Sequence, residues 1–282
     1  MNDNSLGVAL ATLIFAAVGL VSAADAPACC KALSEDPDAL TCPERAFALF
    51  LPRPVSPKSL LFIVDHRAQS AAFDSPLRDG LGLDNGSLKI GLELRYSPFK
   101  NLDAGLRRVN NAADPFDTYE FDARFCILEE SNSGLDAAVR GGVTLFYQDT
   151  SGTASGYFGS LSAGRSIGNR IYVTAGVLYH SNSTNFSKTV ADKDWTLCAP
   201  FALSIRMAGG FFVLAEGFAP LLGYNAGKPG YAYGFKYATF RHSFSAFLTN
   251  TQYSTADGVA TGSDRLDKPV LGFMITRKFG GK

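Results

Sequence analysis

Charged side chains recur at alternate positions in several stretches of this 282-residue chain, and they are the groups that could do chemistry. Lys89, Glu93 and Arg95 form one such set, followed by Asp103 and Arg107, then Glu120, Asp122 and Arg124, then Asp136 and Arg140. Arg206, Glu216 and Lys236 extend the series. Successive side chains of an extended strand point to opposite faces, so each set shares one face. Leu88, Ile90, Leu92, Leu94 and Tyr96 occupy the other face of the clearest stretch, residues 88–96. A strand between lipid and a polar lumen needs this division. A lumen ring of a single sign would select ions, but six acids face seven bases here. Two readings stay open: a narrow polar pore with a transverse field, or a lumen plugged by ion pairs.

Other reactive groups are sparse. Cys29, Cys30 and Cys42 precede the strand-rich region, while Cys126 and Cys198 fall on the inward register. A disulfide from Cys42 to Cys29 or Cys30 is the plain expectation in an oxidising compartment. No Cys-x-x-Cys-His occurs, so that route to covalent haem is absent. His180 and Ser181 are adjacent near a strand end, and neighbouring strand residues diverge. A His activates a Ser only through a hydrogen bond, so no catalytic residue is assigned. His66 and His242 show no metal-ligand spacing with His180, and the sequence names no cofactor or metal.

These residues must be carried by strands. Twelve are predicted, over 58–67, 86–97, 101–109, 116–128, 134–148, 154–166, 169–181, 193–206, 209–219, 229–239, 241–251 and 268–279. Short links follow the even-numbered strands and longer ones the odd-numbered strands, as periplasmic turns and extracellular loops alternate. The fold class is therefore all-β: a transmembrane antiparallel up-and-down barrel of about twelve strands. A soluble sandwich or lipocalin-like barrel shares the period, but its apolar face would point inward. Tyr96, Tyr119, Tyr147, Tyr179, Trp195 and Phe279 fall near strand ends on the outward face, where aromatic girdles belong.

Residues 6–23 form an apolar run ending Val21-Ser22-Ala23, which suits cleavage after Ala23 as a signal peptide. Residues 24–57 are expected to be a short Cys-bearing periplasmic segment, with a helix around Glu44–Leu51, and residues 58–282 the barrel. Export would take the chain to the cell outer membrane. The 26 basic and 26 acidic residues balance, which argues against nucleic acid as a partner.

Several pieces also resemble an uncharacterised, porin-like family of bacterial outer-membrane β-barrel proteins, known as a conserved domain of unknown function. They are Val64-Asp65-His66-Arg67, residues 79–86, Leu88–Tyr96, His242–Asn250 and Gly272–Phe279. The resemblance runs from Leu60 to Phe279 and implies a barrel of this size with no established activity. The closing segment also looks like the signal read by barrel-assembly machinery, although Gly280-Gly281-Lys282 follows its aromatic.

Three functions fit in decreasing order. The first is a small porin or passive channel for ions or small solutes. The second is a closed structural or interaction barrel that binds another envelope component through its loops or residues 24–57. The third is a lipid-modifying enzyme at the rim.

Overall fold

The computed structural model describes residues 44–53, 55–73, 88–110, 117–148, 152–183, 195–224, 228–264 and 268–281. The expected signal peptide and Cys29, Cys30 and Cys42 lie outside them. Twelve strands close into one sheet. They are β1 (Ser59–Ala68), β2 (Leu88–Phe99), β3 (Leu102–Val109), β4 (Asp117–Leu128), β5 (Asp136–Gln148) and β6 (Gly152–Ile167). There follow β7 (Ile171–His180), β8 (Thr196–Ala208), β9 (Phe211–Gly223), β10 (Gly230–Ala238), β11 (His242–Thr249) and β12 (Val270–Gly280). Each strand pairs antiparallel with its sequence neighbours, and β1 closes the ring on β12 from Ser59↔Gly280 to Arg67↔Gly272. Closure removes the open edges that lipid cannot satisfy.

Exposure decides between the membrane barrel and its soluble alternative. Leu92, Leu94 and Tyr96 are 41–49% exposed, while Lys89, Glu93 and Arg95 on the same strand are 1–3% exposed. Phe121, Phe125, Tyr233, Phe235 and Tyr237 continue the outer apolar band. Large apolar groups outside and charges inside invert a soluble core. At the rims, outward Tyr179 stacks on Trp195 at 6.1 Å and meets Tyr157 at the same centroid distance. No helix among the described residues is long and apolar enough to cross a membrane.

Tight links join β2 to β3, β6 to β7, β8 to β9 and β10 to β11 at the end that holds Ser59 and Gly280. Gly168 and Gly209 turn two of them with φ of 60° and 53°, a region L side chains rarely adopt. A short helix α1 (Glu130–Ser133) completes the β4–β5 link. A second, α2 (Ala256–Thr261), lies between β11 and β12, and all six of its residues are buried. It folds back into the opposite half of the barrel against β7, β8 and β9.

The segment before β1 corrects the sequence reading. Residues 44–51 form no helix. Arg45 and Phe50 bridge as an antiparallel pair, closed by Ala46 N–H to the Leu49 carbonyl at 2.9 Å. The described part of this segment sits within the lumen. Its apolar side chains Phe47 and Val55 join Leu61, Ile63, Phe212, Leu214, Phe247 and Met274 in a cluster inside the barrel. Phe47 stacks on Phe247 with ring centroids 4.4 Å apart.

Candidate functional site

The lumen has two unlike sides. Inward residues of β9, β11 and β12 are apolar, glycine or hydroxyl-bearing, with Glu216 the one buried charge on these three strands, whereas β2, β3, β4 and β5 carry most of the buried lumen charge. Residues 44–53 and Val55 fill the space between and match both sides. Three consecutive backbone N–H groups, of Phe47, Ala48 and Leu49, donate to the carboxylate of Glu216 on β9, at 3.1, 2.8 and 3.0 Å. A turn that aims successive N–H groups at one point makes an anion-binding nest, and here a buried wall carboxylate is the anion. Lys236 on β10 reaches the Arg45 carbonyl at 3.1 Å from the same side.

Phe50 points the other way, into a ring of cations. The guanidinium carbons of Arg45, Arg95, Arg107, Arg124 and Arg140 lie 4.8, 4.2, 5.6, 5.2 and 4.4 Å from its centroid. An aromatic face carries negative quadrupole charge and attracts each of them. The same five cations are neutralised by acids on the wall. Glu93 accepts from Arg45 at 2.6 Å and from Arg95 and Arg107 at 2.9 Å. Asp103 accepts from Arg95 and from Arg124, the latter at 2.7 Å. Asp122 pairs with Arg95 and Arg140, and Glu120 with Arg140. Nearer the chain termini, Arg53 joins Asp136 and, at 2.6 Å, Glu130 of α1. Buried ions are tolerated only when paired and hydrogen-bonded in this way. Burial still pulls the pKa of Arg45 below the ordinary arginine value, partly offset by Glu93.

The loop carrying α2 is held from the other half. Arg67 of β1 donates to the carbonyls of Thr251 and Tyr253, at 3.3 and 3.1 Å. Lys89 sits 3.7 Å above the Tyr253 ring, and Arg107 reaches the Ser254 carbonyl. Glu120 accepts from the N–H of Ala256, the first residue of α2. Burial raises the Asp257 carboxyl to about 7, and nearby Glu120 adds to the effect. Two inserted pieces thus occupy the lumen, residues 44–53 with Val55 and the loop carrying α2, and the charged wall holds both.

Of the thirteen charged residues singled out in the sequence, twelve point into this network or its immediate wall. Lys89, Glu93, Arg95, Asp103, Arg107, Glu120, Asp122, Arg124, Asp136, Glu216 and Lys236 are buried, and Arg140 nearly so. Arg206 stands apart at the β8–β9 turn, bonded at 3.0 Å to the Gly209 carbonyl. Sequence reasoning missed Arg45, Phe50, Arg53, Asp65, Arg67 and Glu130. Asp65 and Arg67 share the inward parity of β1 and were findable. Nothing local marks Arg45, Phe50 or Arg53 as lumen residues. His180 is fully buried in the lumen, with Nε2 3.0 Å from the Thr144 hydroxyl and Nδ1 accepting from the Asn182 N–H. Ser181 instead accepts the exposed Tyr157 N–H, so the two do not face each other. Cys126 and Cys198 are free and buried, with Sγ on the carbonyls of Pro52 and Val259, both at 3.6 Å. Among the described residues no cluster of His, Cys, Asp or Glu could hold a metal ion.

A closed antiparallel barrel with an apolar exterior and a charged, filled interior defines a membrane-bound β-barrel protein. Residues 54–279 match the family described as membrane bound beta barrel domain (DUF5777), and the chain belongs to that family. No curated protein matches it. Among solved structures it is similar to the NanC porin, at 10% identity and TM-score 0.47, covering 78% of this chain and 99% of that one. An outer membrane channel from Pseudomonas putida F1 is similar at 11% identity and TM-score 0.46, covering 80% and 97%. Outer membrane phospholipase A from Escherichia coli is similar at 11% identity and TM-score 0.40, covering 78% and 90%.

Proposed function

We propose that this protein is an outer-membrane channel for small solutes that its own N-terminal segment holds shut. The observation that carries the reading is the seating of residues 47–50. One short stretch hangs from Glu216, packs Phe47 in the apolar cluster and inserts Phe50 among five guanidiniums, flanked by the ion pairs of Arg45 and Arg53, all of them noncovalent contacts. Contacts of that kind can be exchanged, whereas continuous strand pairing around the wall holds the barrel without them. The apolar run at residues 6–23 supports export to the outer membrane through a cleaved signal peptide. His180, turned inward onto Thr144, takes no part in catalysis on this reading.

The test is conductance in a planar bilayer, with heat-modifiable gel migration as the folding control. The full-length barrel is expected to be silent or nearly so, and deletion of residues 24–57 to produce defined steps. A deleted barrel that folds and stays silent would overturn the channel reading. It would favour a closed interaction barrel, and the search would turn to envelope proteins that co-purify through residues 24–57.

A further inference from the structure

We propose that the lipid-facing rim formed by β12, β11 and the turn before β11 binds the headgroup phosphate of an anionic glycerophospholipid of the periplasmic leaflet, with Arg241 and Arg277 as its clamp. The proposal rests on the outer-membrane placement given above and not on the channel reading.

Arg277 stands on the outer face of the wall. Along β12, Ile275, Arg277 and Phe279 are exposed while Met274 is buried. A charge on the lipid side is costly unless it reaches the headgroups. Arg277 lies three residues before Gly280, at the end of the barrel that holds Ser59 and the tight turns. Short turns mark the periplasmic end of an outer-membrane barrel. The guanidinium is held from two sides. Its carbon lies 5.3 Å from the Phe279 centroid, and Nη1 donates to Nε2 of His242, its register partner on β11. The His242 ring in turn stacks on Phe244 at 6.2 Å. Beside this pair, the Lys278 N–H donates to the Arg241 carbonyl at 2.8 Å, which sets Arg241 next to β12. Arg241 is exposed, with its guanidinium carbon 5.1 Å from the Phe240 centroid.

Neither arginine has an acid. Among the described residues neither pairs with a carboxylate, and the chain around them supplies none. No Asp or Glu occurs in residues 217–256, 268–282 or 54–64, which span β10, β11, β12 and the first part of β1. Elsewhere on the same rim Lys100 already has Glu129 at 2.8 Å. One sector of the rim is therefore cationic without compensation.

The surroundings choose the anion. A planar guanidinium takes a phosphate through parallel N–H bonds. Phe211, Phe235, Tyr237 and Phe244 cover the adjoining outer wall, each 38–54% exposed. Phe211 stacks on Phe235 at 5.6 Å, and Tyr237 pairs across the strands with Phe244. A glycerophospholipid offers an anion to the arginines and acyl chains to the rings. A free anion leaves the rings unused, and a choline headgroup adds a cation that this sector repels.

The experiment loads the folded full-length protein in detergent micelles with equal amounts of phosphatidylglycerol and phosphatidylcholine of the same chains. Lipid retained after washing is extracted and quantified by mass spectrometry, with heat-modifiable migration as the folding control. Preferential retention of phosphatidylglycerol is expected. Arg241→Gln/Arg277→Gln should weaken it about thirtyfold, near fivefold for each cation. Lys100→Gln/Arg108→Gln removes two cations that already have acids, and should leave it unchanged. Equal retention of the two lipids, a wild-type preference in folded Arg241→Gln/Arg277→Gln, or an equal loss in the control pair would each overturn the site. Stripping of the lipid by millimolar inorganic phosphate would overturn the lipid as occupant in favour of a free anion. The readout is taken in micelles, so a failure of the channel reading leaves it standing, and cell fractionation tests the outer-membrane placement separately.

Discussion

Replacing Glu216 by Ala removes the acceptor on which the N-terminal segment hangs. Three buried backbone N–H groups, those of Phe47, Ala48 and Leu49, then lose their partner together. Each hydrogen bond to a charged acceptor is worth about 1.5–3 kcal/mol, and neighbours that share an acceptor do not add in full. About 3–6 kcal/mol is therefore withdrawn from the seated state. Part of this is offset because the seated state no longer carries the cost of a buried carboxylate. Even the lower figure shifts the closed-to-open ratio by about a hundredfold. The wall is spared, since β9 keeps its pairing with β8 and β10 at this position. The assay is single-channel recording of wild type and Glu216→Ala, beside hydrogen exchange of residues 44–55. The variant is expected to fold, lose protection across 44–55 and gain open time. A folded variant with wild-type protection of Phe47–Leu49 would refute the claim that Glu216 seats the segment. Lost protection with no conductance would refute the claim that the segment is what blocks the pore.

Arginine scanning across β2 corrects a further expectation. By pattern alone, Arg at outward Leu92 should cost about 2–4 kcal/mol at mid-bilayer, and Arg at inward Glu93 much less. The structure instead puts three guanidiniums on Glu93, so Glu93→Arg reverses the centre of the network and should cost at least about 3–5 kcal/mol. Urea unfolding in vesicles checks the order, and a mild Glu93→Arg would show a hydrated lumen. Asp257 makes the seating of α2 depend on pH. Its carboxyl rises from the ordinary 3.8 to about 7 when the loop is seated, so the seated loop favours the protonated form. Protection of the α2 loop should be full below about pH 4 and be lost as the pH climbs through about 7. Asp257→Asn should flatten that profile in hydrogen exchange. A flat wild-type profile would refute the assignment.

The wall was legible because its signal is repeated and local. In β2, Leu92 against Glu93 already states which side is lipid, and the same alternation in β4 and β5 repeats the statement. Strand ends moved by only a few residues. The tight turns at Gly168 and Gly209 needed nothing from distant parts of the chain. The contents of the lumen were not legible for the opposite reason. Arg45, Phe50 and Arg53 lie before the barrel in a short Pro-rich stretch whose spacing suggested a helix. Their partners are 77 and 83 residues away for Arg53 and 48 away for Arg45. No local pattern encodes a separation of that kind.

The balance of lumen charge nonetheless held a usable constraint. Six acids and seven bases left an open pore and an ion-paired plug equally consistent, because an inventory of charge carries no positions. Positions add what the inventory lacks. Glu93, Asp103 and Asp122 each accept from two or more guanidiniums, and Arg95 alone bridges all three. Charge crowding on β2–β5 also leaves β9, β11 and β12 nearly free of buried charge, so that Phe212, Leu214, Phe247 and Met274 gather there. That asymmetry gives the inserted segment one orientation, with Phe47 against Phe247 and Phe50 among the guanidiniums. A uniformly charged lumen would hold a plug without orienting it. If the barrel opens as proposed, the motion must separate Phe47 from the apolar side and Phe50 from the charged side together, which would make closure a cooperative state rather than a partial constriction.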